Sequence, residues 1–121
     1  MNKYNIIDLF AGCGGLLDGF LQTNLYNPVA SVEWEKAPVN TLRNRLKTKW
    51  NVQDADESVI RFDMQRIDEL FLGFSNDIKY NSSVGLDKII NSRIIHGIIG
   101  GPPCQAYSVA RRTHDKEGLK T

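Results

Sequence analysis

The chain of 121 residues carries a formal net charge of +1, is 41% hydrophobic and 24% charged, and holds two cysteines. That length suits one hydrophobic core, and the composition excludes a low-complexity chain and a polybasic arm that would bind nucleic acid by charge alone. No stretch approaches the roughly 18 uninterrupted apolar residues that span a membrane. The apolar start has a single Lys and breaks at Asp8, so no secretory signal is expected and a cytoplasmic location is the default.

Residues 4 to 10, YNIIDLF, are apolar, carry β-branched Ile6 and Ile7, and run into the glycine-rich AGCGG. This pattern predicts a buried strand ending in a tight turn. Leu16, Leu17, Phe20, Leu21 and Leu25 then recur at spacings that keep one face of a helix apolar. After Pro28 a second strand is predicted, with Val29, Ser31 and Glu33 on one side and Ala30, Val32 and Trp34 on the other.

Pro38 opens a second helix in which Val39, Leu42, Leu46 and Trp50 form a buried stripe. Arg43, Arg45, Lys47 and Lys49 crowd its other faces, a pattern more usual for a solvated helix face than for a DNA contact. A short third strand, Val59 to Phe62, ends at Asp63 and is followed by a helical turn from Ile67 to Phe71. The stretch GFSNDIKYNSSVG reads as an irregular surface loop, LDKIINSR as a short helix, and IIHGIIGG as a fourth apolar strand that enters GGPPCQAYS. His96, inside that last strand, reads as a satisfied core histidine and His114 as a solvated one. With Cys13 and Cys104 far apart, no zinc site is expected.

Alternating strands and helices imply an α/β domain with a mostly parallel sheet, in which ligands sit beyond the carboxyl ends of the strands. Each predicted strand ends in something chemical. Gly12, Gly14 and Gly15 let backbone approach a ligand, although Leu17 stands where the third glycine of a dinucleotide pattern would fall. Glu33 suits the two hydroxyls of a ribose and Trp34 the face of an adenine. Singly, the first reads equally as an exposed charge and the second as core. Asp63 reads either as an acceptor for an adenine amino group or as a helix cap. Cys104 follows Pro102 and Pro103, which fix their own φ angles and hold the thiol in place, and it reads evenly as nucleophile or structural thiol.

Taken together and in this order, DLFAGCGGLLDGF, SVEWEK, FDM and GGPPCQAYS resemble the N-terminal motifs of the DNA (cytosine-5)-methyltransferases, over essentially the whole chain. The resemblance implies a Rossmann-like S-adenosylmethionine-dependent methyltransferase fold, with residues 1–121 forming the N-terminal part of a cofactor-binding and catalytic domain. It implies a cofactor site made by Phe10, Ala11, Gly12, Gly14, Gly15, Leu16, Glu33, Trp34, Asp63, Met64 and Pro102. Cys104 matches the nucleophile, and Pro103, Gln105 and Ser108 match positions near an extruded cytosine and the DNA backbone. DNA is the implied partner and restriction and modification the implied setting. The family's later motifs, including a Glu-Asn-Val segment and a target-recognition region, do not occur in these residues. The expectation is a chain inactive alone, its fourth strand at an open sheet edge. The alternative is a cofactor-binding or complementing subunit of a split methyltransferase.

Overall fold

A computed structural model describes residues 2 to 101; the expectations placed on Pro102, Pro103, Cys104, Gln105, Ser108 and His114 lie outside the described residues. Strand β1 (Tyr4–Leu9) leads through the glycine turn into helix α1 (Gly15–Leu21), then strand β2 (Tyr26–Glu33) and helix α2 (Lys36–Thr48). A short helix α3 (Ala55–Ser58) precedes strand β3 (Val59–Arg61) and helix α4 (Ile67–Leu72). Strands β4 (Phe74–Asp77) and β5 (Asn81–Ser83), helix α5 (Leu86–Ile90) and strand β6 (Gly97–Ile99) complete the described chain. The main sheet has the order β3-β2-β1-β6, and all its pairings are parallel.

Strand alternation divides the core between the two faces of this sheet. Ile6 packs with Leu17, Leu21, Val39, Leu42 and Leu46, the apolar stripes of α1 and α2. Ile7, Val32, Ile60 and Phe62 pack on the opposite face with Leu70 of α4 and Leu86 and Ile89 of α5. Helices on both faces are what buried, nearly continuous apolar strands require. Phe62 stacks on Phe74 with ring centroids 4.0 Å apart and meets Tyr80 edge-on at 5.2 Å.

Four expectations are corrected. The second strand begins at Tyr26, before Pro28. Ile6 pairs with Pro28 and Ile7 with Ala30, so a register shift at this point accommodates the missing N–H. The stretch read as an irregular loop is an antiparallel hairpin, β4 with β5. Its polar composition concealed two buried aromatics, Phe74 and Tyr80, that anchor it on Phe62. Helix α1 ends at Leu21, so Leu25 lies beyond it, and both Leu16 and Leu25 are exposed. His96 precedes β6 and is exposed; its Nδ1 accepts the backbone N–H of Asn5 at 2.8 Å.

Candidate functional site

Strand ends β1, β2 and β3 are tied to one another by hydrogen bonds. Ala11 N–H donates to the Val32 carbonyl at 3.0 Å, and Phe62 N–H donates to the Glu33 carbonyl at 3.1 Å. Glu33 is buried, and its carboxylate joins two loops: Oε1 accepts Gly12 N–H at 2.9 Å and Oε2 accepts Glu35 N–H at 3.0 Å. A carboxylate offers about four lone-pair sites, so each oxygen keeps acceptor capacity for a ligand hydroxyl. Glu33 is thus not the exposed charge of the simpler reading. It also sets the shape of the glycine turn.

That turn is strained at its start. Phe10 has φ 59°, in the left-handed region that a bulky residue rarely occupies, and its side chain is partly exposed. Gly14, at φ 91°, passes so close to α2 that a Cβ there would lie 2.5 Å from Leu42 Cδ1. A side chain larger than hydrogen would have to displace the buried Leu42 side chain and adopt a left-handed φ. Gly14 N–H closes the turn onto the Ala11 carbonyl at 3.0 Å. Ala11 is buried, Gly12 half-buried, and Gly15 and Leu16 are exposed.

Trp34, directly after β2, is 51% exposed, with Lys79 Nζ 5.7 Å from its ring centroid. The core reading of this tryptophan does not hold. Asp63 follows β3; its Oδ1 accepts Gln65 N–H at 2.8 Å, an Asx turn that precedes α4 and orders the backbone beside Met64. Met64 is partly buried against the cluster around Phe62. β6 leaves the sheet alongside β1: a Cβ on Gly100 would stand 2.5 Å from the Leu9 carbonyl oxygen. The ends of all four parallel strands therefore lie side by side, and the order reverses between β1 and β6. Such a reversal opens a crevice for ligands in α/β sheets.

Several supporting residues carried no signal of this kind in the sequence. Arg45 donates to the Cys13 carbonyl at 3.2 Å, holding the glycine turn from α2. Arg61 donates to the Trp34 carbonyl and to the Lys79 carbonyl, each at 3.0 Å, which binds the end of β2 to the hairpin. The rest of the basic cluster also works within the chain. Arg43 caps the Val59 carbonyl at 2.6 Å, Lys47 pairs with Asp56 at 2.9 Å, and Lys49 pairs with Asp18 at 3.0 Å. Asp8 is the least expected group: 1% exposed, with neither carboxyl oxygen hydrogen-bonded among the described residues. Burial first, and then the charge of Glu33, raise its pKa from 3.8 to about 7.

A groove of about 870 Å³ runs elsewhere, between α2, β3 and the hairpin. Its lining, which includes Lys36, Arg43, Arg61 and Lys88, contains none of the predicted cofactor residues. Among the described residues no group of three His, Cys, Asp or Glu side chains could hold a metal ion, and no helix is long and apolar enough to cross a membrane.

The profile of the family described as C-5 cytosine-specific DNA methylase matches residues 4–120. The chain is 32% identical over 113 residues to the type II methyltransferase M.DdeI of Desulfomicrobium norvegicum, covering 93% of this chain and 21% of that protein. It is 31% identical over 113 residues to the type II methyltransferase M.HgiGI of Herpetosiphon aurantiacus, covering 93% of this chain and 68% of that protein. It is 28% identical over 119 residues to the DNA (cytosine-5)-methyltransferase PliMCI of Paracentrotus lividus, covering 98% of this chain and 7% of that protein. No solved structure matches. The chain belongs to the C-5 cytosine-specific DNA methylase family. It spans about a fifth of the length of M.DdeI.

Proposed function

We propose that these residues bind S-adenosylmethionine at the carboxyl ends of β1, β2 and β3, and supply Cys104 as the nucleophile for methylation of carbon 5 of cytosine in DNA. The observation that carries the reading is the Glu33 carboxylate, fixed by Gly12 N–H and Glu35 N–H beside the exposed Trp34. The donor and acceptor set fits an adenosine: Glu33 retains lone pairs for ribose hydroxyls, Trp34 offers a stacking face, and Asp63 and Met64 lie where the adenine edge would end. Phe10, Ala11, Gly12, Gly14, Gly15, Leu16 and Pro102 would hold the remaining part. When bound, the cofactor supplies an electrophilic methyl group on a sulfonium.

Cytosine carbon 5 is too weakly nucleophilic to accept that methyl unaided. The Cys104 thiolate would add to carbon 6, and the electron pair placed on carbon 5 would take the methyl group as its bond to sulfur breaks, leaving a neutral thioether. Transfer of the carbon 5 proton to solvent water would then re-form the 5,6 double bond and expel the thiolate. The base must leave the duplex to meet the thiol, which costs a few kcal/mol of unstacking. Pro103, Gln105 and Ser108 stand in sequence where they would hold the extruded nucleotide. A cytoplasmic setting in restriction and modification goes with this reading.

Ultraviolet crosslinking of tritiated S-adenosylmethionine to the chain tests the cofactor site. Label is expected on the wild type, competed by S-adenosylhomocysteine and lost in Glu33→Ala. No competable label would overturn the reading.

A further inference from the structure

Asp8 occupies a position that the fold would fill with an apolar side chain. Alternation along β1 places it on the same face as Ile6, toward α1 and α2, and pairs it in register with Ser31 of β2 and Ile99 of β6. It is 1% exposed, and both carboxyl oxygens lack a hydrogen-bond partner among the described residues. A buried acid without a partner destabilises a fold, and native structures keep such groups chiefly where they act.

Its location supplies the act. Asp8 lies two residues before the strained Phe10, in the strand next to the point where the sheet order reverses, and between the two glycine exits at Gly12 and Gly100. Two strand residues are roughly 7 Å, close enough for an uncompensated charge to be felt in the crevice above.

We propose that Asp8 is the counter-charge of this site, a positioning residue that makes it prefer a cationic sulfonium nucleoside over the neutral thioether left after methyl transfer. The inference rests on the cofactor reading above. Among the described residues, the charged groups on the surrounding elements leave Asp8 without a competing cation. Glu33 of β2 is an acid committed to Gly12 and Glu35. On α1, Asp18 is engaged by Trp50 and Lys49. On α2, Arg43 and Arg45 are committed to the carbonyls of Val59 and Cys13. At its register position β6 offers Ile99 and no titratable group.

Burial and Glu33 hold the Asp8 carboxyl near the middle of its titration at neutral pH, with a pKa of about 7. A cation arriving above it favours the carboxylate, so binding a sulfonium releases a proton. The thioether has no such effect. Calorimetric titration of the full chain with S-adenosylmethionine and with S-adenosylhomocysteine, at about pH 6 and about pH 8, reads this linkage. In the wild type the preference for the sulfonium should rise by about fivefold between those pH values, and in Asp8→Asn it should stay flat.

Proton release by the wild type, measured near pH 7 in two buffers of different ionisation heat, needs no variant. It should accompany the sulfonium and not the thioether. If both ligands bind and neither the preference nor the proton count responds, Asp8 is not the counter-charge and the cofactor reading stands. If neither ligand binds, both fall together.

Discussion

Asp8→Asn is the substitution for which the structure predicts a gain in stability where buried polar groups usually predict a loss. The wild-type carboxyl has its pKa raised from 3.8 to about 7, by burial first and by Glu33 second. Between those values the folded protein holds a proton that the unfolded chain has released. Stability therefore falls as pH climbs through that window, and the full penalty is present above about 7. At about 1.4 kcal/mol per unit the ceiling is about 4 kcal/mol. Asparagine cannot ionise and removes this penalty, but it leaves an amide without a partner, which costs about 1–3 kcal/mol. The net expectation is a gain of about 1–3 kcal/mol above neutrality, turning into a loss of about 1–3 kcal/mol below the ordinary carboxylate range, where only the amide cost remains. Urea unfolding of both proteins across this pH range, followed by far-ultraviolet circular dichroism, reads the difference as a shift in midpoint at constant slope. A wild type whose stability rises from acid to neutral pH while Asp8→Asn runs parallel to it would refute the reasoning.

Other expectations concern the core, the helix pair and the chemistry. Phe62→Ala removes the ring that both Phe74 and Tyr80 contact, and should destabilise by about 3–5 kcal/mol in the same urea assay. Asp18 accepts the Trp50 indole N–H at 2.7 Å and pairs with Lys49, which holds its carboxyl below the usual range. Its contribution is present above the ordinary carboxylate pKa and lost as pH falls through the lowered one; Asp18→Ala should cost about 1–2 kcal/mol at neutral pH and nothing in strong acid. Gly14→Ala forces a Cβ against Leu42 at a positive φ, so both stability and crosslinking to S-adenosylmethionine should fall together. On duplex DNA carrying 5-fluorocytosine, any covalent complex formed with a chain that supplies the remaining family motifs should vanish in Cys104→Ser. A surviving complex would remove Cys104 from the reaction.

The parallel sheet was legible because its strands are buried on both faces and so read as continuous apolar runs between glycine and polar punctuation. Tyr4–Leu9 and Tyr26–Glu33 have that character. The hairpin was not legible, because two buried aromatics in a stretch of Ser, Asn and Gly carry no period, and only contact with Phe62 shows their purpose. Glu33 and Trp34 were picked out by their place at a strand end, yet the two backbone N–H groups that Glu33 holds come from separate loops and have no sequence signature. Asp8 looked like an interruption of an apolar run. Its meaning depends on neighbours across the sheet at Ser31 and Ile99, which spacing along one strand cannot supply.

A ligand site at the carboxyl ends of β1, β2 and β3 is tested most directly by amide chemical shifts of the nitrogen-15-labelled chain titrated with S-adenosylmethionine. Shifts are expected to concentrate at Phe10 to Gly15, Glu33 to Glu35, and Asp63 and Met64. Shifts confined to the groove beside β3, at Asn40, Val84 and Lys88, would contradict it.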